Sequence, residues 1–137
     1  MYLVDTVVFS ELHKRRRNPS VTRWLISTPE NFLFLSTITI GEIERGIERK
    51  RRNDPVVTEA LSVWLEHSIE LYQDRILPVT VAIARRWGRL SARIGHEGAD
   101  LIIAATALEH GLTVATRNVR HFIPTGAAVE NPFEATS

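Results

Sequence analysis

Three carboxylic acids stand where their side chains could share one divalent cation. Asp5 follows the short apolar segment Tyr2–Val4, and Asp100 precedes the apolar run LIIAATAL. Glu42 lies near the start of a predicted helix that follows another apolar segment. Three such charges close together would repel one another unless a cation lay between them, and oxygen ligands of this kind suit Mg²⁺ or Mn²⁺. Such an ion can activate a bound water and stabilise phosphoryl oxygens, so phosphodiester hydrolysis is the predicted chemistry.

The elements that must position these acids alternate along the chain. Five apolar segments are predicted to be strands: Tyr2–Val4, Phe32–Leu35, Ile76–Val79, Leu112–Ala115 and Ala127–Val129. Helical patterns lie between them and begin near Thr6, Pro19, Thr39, Asp54, Thr80 and Asp100. Strands that alternate with helices indicate an α/β fold, with a parallel sheet that helices cover on both faces. The acids then lie on one rim of the sheet, because each falls at a strand end or a helix start.

The segment Gly98–Asn118 shows this arrangement most clearly. Asp100 lies in the first turn of the predicted helix, which carries small residues suited to close packing and ends at a His-Gly pair. The strand Leu112–Ala115 follows, and Asn118 lies just beyond its carboxyl end. Ligands of open α/β sheets bind in the crevice at the carboxyl ends of the strands. The segment therefore places a second polar residue near Asp100.

Each acid also has a purely structural interpretation. Thr39 and Glu42 have the spacing of a capping box, in which the glutamate only completes a helix start. Asp100 would interact favourably with the helix dipole without any ion. Asp5 is harder to explain in this way, because its burial costs several kcal/mol unless the charge is paired or bound to a metal. Position alone leaves the roles of Glu42 and Asp100 open.

Composition narrows the class of protein. With 137 residues, of which 44% are hydrophobic and 24% charged, the chain is expected to form one globular domain, 1–137. It contains no cysteine, which excludes disulfides and thiolate metal sites. No signal peptide is expected, because Asp5 interrupts the N-terminal apolar segment, and no apolar run is long enough to span a membrane. A cytoplasmic protein without a membrane partner is expected.

Several blocks of the sequence together resemble one family. These blocks are DTVVFSEL, LSTITIGEIERGIERKRR, RILPV, RRWGRLSARIG, ADLIIAATALEHGLTVATRNVRHF and the ending NPF. In them the chain resembles the PIN-domain ribonucleases, and most of all the VapC and FitB branch of type II toxin–antitoxin systems. The resemblance implies a single PIN-like α/β domain, with a parallel five-stranded sheet between helices. It also implies RNA cleavage that depends on Mg²⁺ or Mn²⁺, a cognate antitoxin, and a homodimer or a larger toxin–antitoxin assembly.

The resemblance assigns roles to individual residues. The family's acids match Asp5, Glu42 and Asp100, and Asn118 stands where FitB-like members carry a fourth acid; all four residues are expected to take part in catalysis. Of these, Asp5 and Asp100 are expected to bind the metal. Thr6 and Thr116 match hydroxyl positions beside the site and are expected to contact the substrate.

Departures from the family pattern favour an alternative function. Val7 stands where the family usually has Asn, Asn118 stands where FitB-like members carry a fourth acid, and His121 stands where many members have an acid. Of these, Val7 and Asn118 favour the alternative. The alternative is a catalytically weakened PIN domain that acts mainly as an antitoxin- or nucleic-acid-binding protein. Other classes fit less well, because a receiver-like phosphoacceptor needs an early acidic pair and a P-loop protein needs a GxxxxGK[ST] run. The chain has neither feature.

Two basic clusters, Lys14–Arg17 and Arg49–Arg52, are candidates for contact with a polyanion. RNA phosphates supply most non-specific affinity, so Arg49 and Arg52 are predicted to bind substrate, although an acidic antitoxin segment fits them equally well. Lys14–Arg17 is better explained as a solvated helix end that complements the helix dipole. The expected homodimer would use apolar residues that exceed the needs of a small domain: Phe9, Leu12, Leu61, Trp64 and Leu65.

Overall fold

A computed structural model of the protein describes residues 1–134 as an α/β fold. Its strands are β1 Tyr2–Val4, β2 Leu33–Ser36, β3 Ile76–Leu77, β4 Thr113–Ala115 and β5 Val129–Glu130. Its α-helices are α1 Thr6–Ser10, α2 Pro19–Ser27, α3 Thr37–Lys50, α4 Pro55–Leu71, α5 Val81–Ile94, α6 Ala99–His110 and α7 Val119–Phe122. Short 3₁₀ turns lie at Glu11–His13, Glu30–Phe32, Gln73–Arg75 and Ile123–Thr125.

The strands of the described chain form one parallel sheet in the order β3-β2-β1-β4-β5. Strand β1 is central, because Leu3 pairs with Phe34 of β2 on one side and with Val114 of β4 on the other. The carboxyl end of β1 is therefore the point where the strand order reverses, which is where open α/β sheets bind ligands. Asp5 follows β1 there, and its backbone N–H still pairs with the carbonyl oxygen of Ala115 at 2.9 Å. The predicted parallel five-stranded sheet is confirmed.

Alternate residues of β1 belong to two cores, because successive side chains of a strand point to opposite faces of the sheet. Leu3 is completely buried in a core that contains residues of α5 and α6. Val4 lies in the other core, which contains residues of α1 and α2. Helix α6 packs closely because its small residues Ala104 and Ala105 are completely buried. The sheet is thus covered on both faces, as predicted.

Helix α3 begins earlier than predicted. The Ser36 hydroxyl caps it by accepting a hydrogen bond from the Ile38 backbone N–H at 3.1 Å. Thr39 is therefore inside the helix, where it is completely buried, and Glu42 lies in the second turn. The predicted capping box between Thr39 and Glu42 is wrong. The Glu42 carboxylate is instead available for a contact with another element.

Two edge strands also differ from the prediction in their limits. Strand β3 ends at Leu77 rather than at Val79, because Pro78 has no N–H to continue the ladder. Strand β5 begins at Val129 rather than at Ala127, whose N–H bonds to the Thr125 hydroxyl at 3.2 Å. Neither difference moves the rim where the acids lie.

The apolar residues expected to form a dimer surface lie mostly in the core. Phe9 is 1% exposed and Leu65 is 2% exposed, and the ring of Trp64 packs against Phe9 with 5.0 Å between centroids. The prediction that these residues form a dimer surface is therefore wrong, while the homodimer itself stays a prediction. Helix α4 exposes other apolar side chains, among them Val63 and Leu71. Within residues 1–134, no helix has the length and apolar character needed to cross a membrane.

Candidate active site

Asp5 is the buried carboxylate of the candidate site. It is 3% exposed and is the N-cap residue of α1. Its Oδ1 accepts a hydrogen bond from the Thr6 backbone N–H at 2.7 Å, and its Oδ2 accepts one from the Thr116 hydroxyl at 2.8 Å. Burial raises the pKa of Asp5 to about 6; these two hydrogen bonds oppose the rise, and the charges of Asp100 and Glu42 add to it. The two hydrogen bonds therefore compensate only in part for the cost of burying the charged carboxylate.

Thr6 connects Asp5 to Glu42. The Thr6 hydroxyl lies 2.6 Å from Oε1 of Glu42 and 3.3 Å from the hydroxyl of the buried Thr39. A hydroxyl has a single hydrogen and a carboxylate can only accept, so Thr6 donates to Glu42. The backbone N–H of Thr6 thus fixes one acid and its hydroxyl fixes another. A direct contact between Thr6 and substrate remains a prediction.

Asp100 lies in the first turn of α6, as predicted. Its Oδ2 lies 2.8 Å from Nδ1 of His121, which belongs to α7. The Asp100 side chain is 28% exposed and the His121 side chain is 62% exposed. A histidine therefore contacts Asp100 at a position where the family resemblance predicts an acid.

Glu42 and Asp100 line the same open cavity, which has a volume of about 740 Å³. Arg45, Arg120 and His121 also line it, so basic side chains surround the two acids. Nη2 of Arg45 lies 3.9 Å from Oε2 of Glu42. Sequence reasoning missed both arginines. The position of Arg45, three residues after Glu42 on one helix, was an available signal, whereas no local pattern marked Arg120.

Thr116 and Asn118 follow β4 on the same rim. The buried Thr116 hydroxyl donates to Asp5 and accepts a hydrogen bond from the Asn118 backbone N–H at 2.9 Å. Asn118 lines a neighbouring cavity of about 310 Å³ and is not among the residues that line the cavity shared by Glu42 and Asp100. Asn118 supports the site through its backbone. A catalytic role for its side chain remains a prediction, as does a contact between Thr116 and substrate.

The other predicted positions lie at the border of the site or away from it. Val7 follows Thr6 in α1 and is 39% exposed, so an apolar side chain stands where the resemblance predicts Asn. Arg49 lies in the last turn of α3 and Arg52 just beyond it, and both are exposed. Since a helix rises about 1.5 Å per residue, Arg49 lies roughly 10 Å along the axis from Glu42. These arginines can contact only a substrate or partner that extends beyond the cavity.

The acids fit a divalent cation by their chemistry and by their mutual repulsion. All three offer oxygen ligands that suit Mg²⁺ or Mn²⁺, and the charges of Glu42 and Asp100 help to raise the pKa of Asp5. As they stand in residues 1–134, no three His, Asp or Glu side chains form a group that could hold an ion. Glu42 bonds instead to Thr6, and Asp100 to His121. Each of these contacts occupies one carboxylate oxygen and leaves the second oxygen of Glu42 and of Asp100 for another partner.

Comparison with known proteins gives matches over nearly the whole chain. Residues 2–124 match the PIN domain model. The toxin FitB of Neisseria gonorrhoeae is 36% identical over an alignment 143 positions long, which covers 97% of this chain and 99% of FitB. The VapC ribonuclease Y4jK of Sinorhizobium fredii is 33% identical over an alignment 144 positions long, which covers 98% of this chain and 99% of that protein.

Solved structures give the same result. The crystal structure of FitAcB from Neisseria gonorrhoeae superposes with a TM-score of 0.85 and 35% identity, over 98% of this chain and 100% of that one. Solved structures that share the fold include toxin–antitoxin complexes. The parallel sheet, the acids at its central rim and these matches agree, and the chain therefore belongs to the PIN domain family.

Proposed function

We propose that this PIN-domain protein is the toxin of a type II toxin–antitoxin system and hydrolyses RNA phosphodiester bonds with Mg²⁺ or Mn²⁺. The observation that supports the proposal most is the buried Asp5, which lies within the repulsive field of Glu42 and Asp100. A bound cation would stabilise such a carboxylate in its charged form. PIN-domain ribonucleases in general depend on a divalent metal. The relatives named as a toxin and as a VapC ribonuclease support the same assignment.

In the proposed mechanism Asp5 and Asp100 would hold the ion. The Thr6 N–H and the Thr116 hydroxyl each bind one oxygen of Asp5, so this carboxylate cannot turn away from the site. When bound, the ion supplies an activated water and neutralises charge on the phosphoryl group. Glu42 keeps Oε1 on the Thr6 hydroxyl and offers Oε2 to receive the proton of the attacking water. As the water oxygen bonds to phosphorus, the bond from phosphorus to the leaving ribose oxygen breaks; that oxygen takes up a proton from solvent, and Glu42 releases its proton to solvent.

Basic side chains hold the RNA in this proposal. Arg45 and Arg120 line the cavity of the acids and would bind the phosphates next to the bond that breaks. Arg49 and Arg52 lie farther along α3 and would bind the RNA backbone beyond the cavity. Asn118 contributes through its backbone N–H, which holds the hydroxyl of Thr116.

A cognate antitoxin is the proposed protein partner. Solved structures that resemble the chain are toxin–antitoxin complexes, which supports such a partner. The exposed cluster Arg49–Arg52 would also suit an acidic antitoxin segment. Loss of ribonuclease activity on addition of one equivalent of antitoxin is the expected behaviour.

Incubation of the purified protein with a panel of RNAs in Mg²⁺, Mn²⁺ or EDTA tests this function. We expect cleavage with at least one cation and none in EDTA. Glu66→Gln, which neutralises an exposed acid of α4 outside the site, serves as the control and should cut like the wild type. Failure to cut any RNA with either cation would contradict the proposal.

The second candidate is a weakened PIN domain that binds RNA or an antitoxin but cuts poorly. Val7 favours it, because this side chain adds no polar atom at the border of the site. A mobility-shift assay that shows RNA binding in Mg²⁺, together with intact RNA after incubation, would support this second candidate.

A further inference from the structure

His121 makes a contact that the proposed mechanism does not use. Its Nδ1 lies 2.8 Å from Oδ2 of Asp100. Because an ionised carboxylate can only accept a hydrogen bond, Nδ1 carries the hydrogen and donates it. The other ring nitrogen, Nε2, then lies on the side of the ring away from Asp100. The contact therefore occupies one oxygen of Asp100 and leaves Oδ1 without this partner.

The backbone of His121 is held in place although its ring is exposed. Phe122, the next residue of α7, is completely buried in the core that contains residues of α5 and α6. The His121 N–H donates to the Asn118 carbonyl oxygen at 3.0 Å. The Asn118 N–H in turn donates to the Thr116 hydroxyl, which donates to Asp5. One hydrogen-bonded turn after β4 thus supports Asp5 at one end and contacts Asp100 at the other.

The contact between His121 and Asp100 contributes little to the stability of the fold. Both side chains are open to water, and exposed pairs of this kind are weakened by solvent. The pair nevertheless lies in the cavity that Glu42 also lines. Its effect is therefore expected at the site rather than in the fold.

We propose that His121 is a positioning residue of the metal centre, where its Nδ1–H holds Oδ2 of Asp100 so that Oδ1 is presented to the ion. This inference rests on the proposed function, which requires the ion. A partner that fixes the orientation of a metal ligand typically raises metal affinity about 10- to 100-fold. Asp100 needs such a partner, because its carboxylate lies at an exposed helix start and no other hydrogen bond to it is present within residues 1–134.

A direct bond from His121 to the ion is the competing arrangement. With Nδ1 on Asp100, Nε2 lies on the opposite side of the ring and cannot reach an ion that Asp100 also binds. The ring would have to turn and give up the contact. The side-chain amide of Asn places an N–H donor near the position of Nδ1. Asn can therefore replace a histidine that donates to Asp100, but it cannot replace a histidine that binds the ion through its ring.

Calorimetric titration of Mn²⁺ into the full chain at about pH 8 separates these arrangements without measurement of activity. We expect His121→Ala to weaken Mn²⁺ binding about tenfold and His121→Asn to restore it to within about threefold of the wild type. His121→Gln should not restore it, because its amide lies near the position of Nε2. In an Asp100→Asn background, His121→Ala should have no further effect. His67→Ala, on the exposed side of α4, is the matched control.

Three results would overturn the positioning role. Unchanged or tighter Mn²⁺ binding by His121→Ala would show that the histidine does not help the ion. Equal weakening in His121→Ala and His121→Asn would show that the imidazole is itself a ligand. A further loss in the Asp100→Asn background would show that His121 acts independently of Asp100. Wild-type protein that binds Mn²⁺ as expected but cuts no RNA would refute the proposed function and leave this inference standing.

Discussion

At the scale of single residues, Asp5 places stability and function in opposition. Burial disfavours its charged form and raises its pKa, yet the proposed metal centre needs that form. The hydrogen bonds from Thr6 and Thr116 keep the carboxylate in place without compensating its burial fully. Removal of the charge should therefore stabilise the fold while it destroys the site.

Asp5→Asn should raise the free energy of unfolding at neutral pH and above. The folded-state pKa of about 6 lies above the ordinary value of 3.8, so the folded protein binds this proton more tightly than the unfolded chain does. The stabilisation by this proton is fully present below about pH 4 and is lost as the pH rises through about 6. At about pH 8 the variant should be more stable by about 2 kcal/mol, because the pKa shift corresponds to about 3 kcal/mol and a weakened hydrogen bond offsets about 1 kcal/mol of it.

Urea denaturation in EDTA at about pH 4.5 and about pH 8 measures this difference, which should be smaller at the lower pH. Asp74→Asn, at an exposed position, serves as the control and should show little change. A variant at position 5 that is less stable than the wild type at the higher pH would contradict the view that this charge is repelled and poorly solvated.

Asn118→Asp should shift the Mg²⁺ concentration needed for half-maximal cleavage by less than about threefold. Asn118 lines the neighbouring cavity, where water and salt would screen a new charge from the ion. Metal titrations of cleavage compare the variant with the wild type. A decrease of tenfold or more would instead place position 118 among the ligands of the ion.

At the scale of elements, the sequence predicted the places of Asp5 and Asp100 in the fold correctly, because each acid adjoins a strongly patterned element, while their roles in catalysis stay a prediction. Asp5 ends an apolar strand, and Asp100 begins a helix that Gly111 closes in the left-handed conformation. The family and the parallel fold were confirmed as well. The neighbourhood of Glu42 was harder to predict, because Ser36, Thr37 and Thr39 are all good N-cap residues and only packing selects among them.

The contact between His121 and Asp100 lay beyond sequence reasoning for a different reason. It depends on the turn between β4 and α7, a helix of 4 residues that carries no periodic pattern. The backbone position of Asn118, whose N–H holds the Thr116 hydroxyl, depends on the same turn. Short turns of this kind decide which of two neighbouring polar residues enters a cavity, and composition does not reveal the choice.

Ser36→Ala should lower the free energy of unfolding by about 1 kcal/mol, because it removes the cap that begins α3. The same change should weaken metal-dependent cleavage, since the start of α3 sets the position of Glu42. Urea denaturation and cleavage assays on one preparation measure both effects. Ser62→Ala, on α4, is the control. A cap variant with unchanged stability would mean that packing of α3 alone fixes its start.

At the scale of the whole molecule, the charged cavity and the exposed apolar face of α4 belong to different surfaces. The acids lie on the rim of the sheet, whereas α4 exposes Val56, Val63 and Leu71 to solvent. Apolar residues spaced along one helix favour contact with another protein surface. The site and an assembly contact can therefore be altered separately.

We expect a homodimer at concentrations of tens of micromolar and a monomer after Val63→Glu. A dimer with a dissociation constant of about 1 μM, which corresponds to about 8 kcal/mol, would be almost fully associated in that range. Light scattering measures the mass of both proteins. Val79→Glu, another half-exposed valine outside α4, is the control. A wild-type monomer would refute the homodimer, and a dimer that survives Val63→Glu would place the contact elsewhere.

The most informative single measurement is RNA cleavage by Asp100→Asn in Mg²⁺ or Mn²⁺, with the free energy of unfolding determined on the same preparation. If Asp5 and Asp100 hold the ion, the variant should lose at least about a hundredfold in cleavage rate, or about 2.7 kcal/mol of transition-state stabilisation. Its unfolding free energy in EDTA should be equal to or higher than that of the wild type, because one of the repelling charges is gone. Cleavage that persists at the wild-type rate, or a variant that no longer folds, would contradict the assignment of Asp100 to a metal-dependent ribonuclease site.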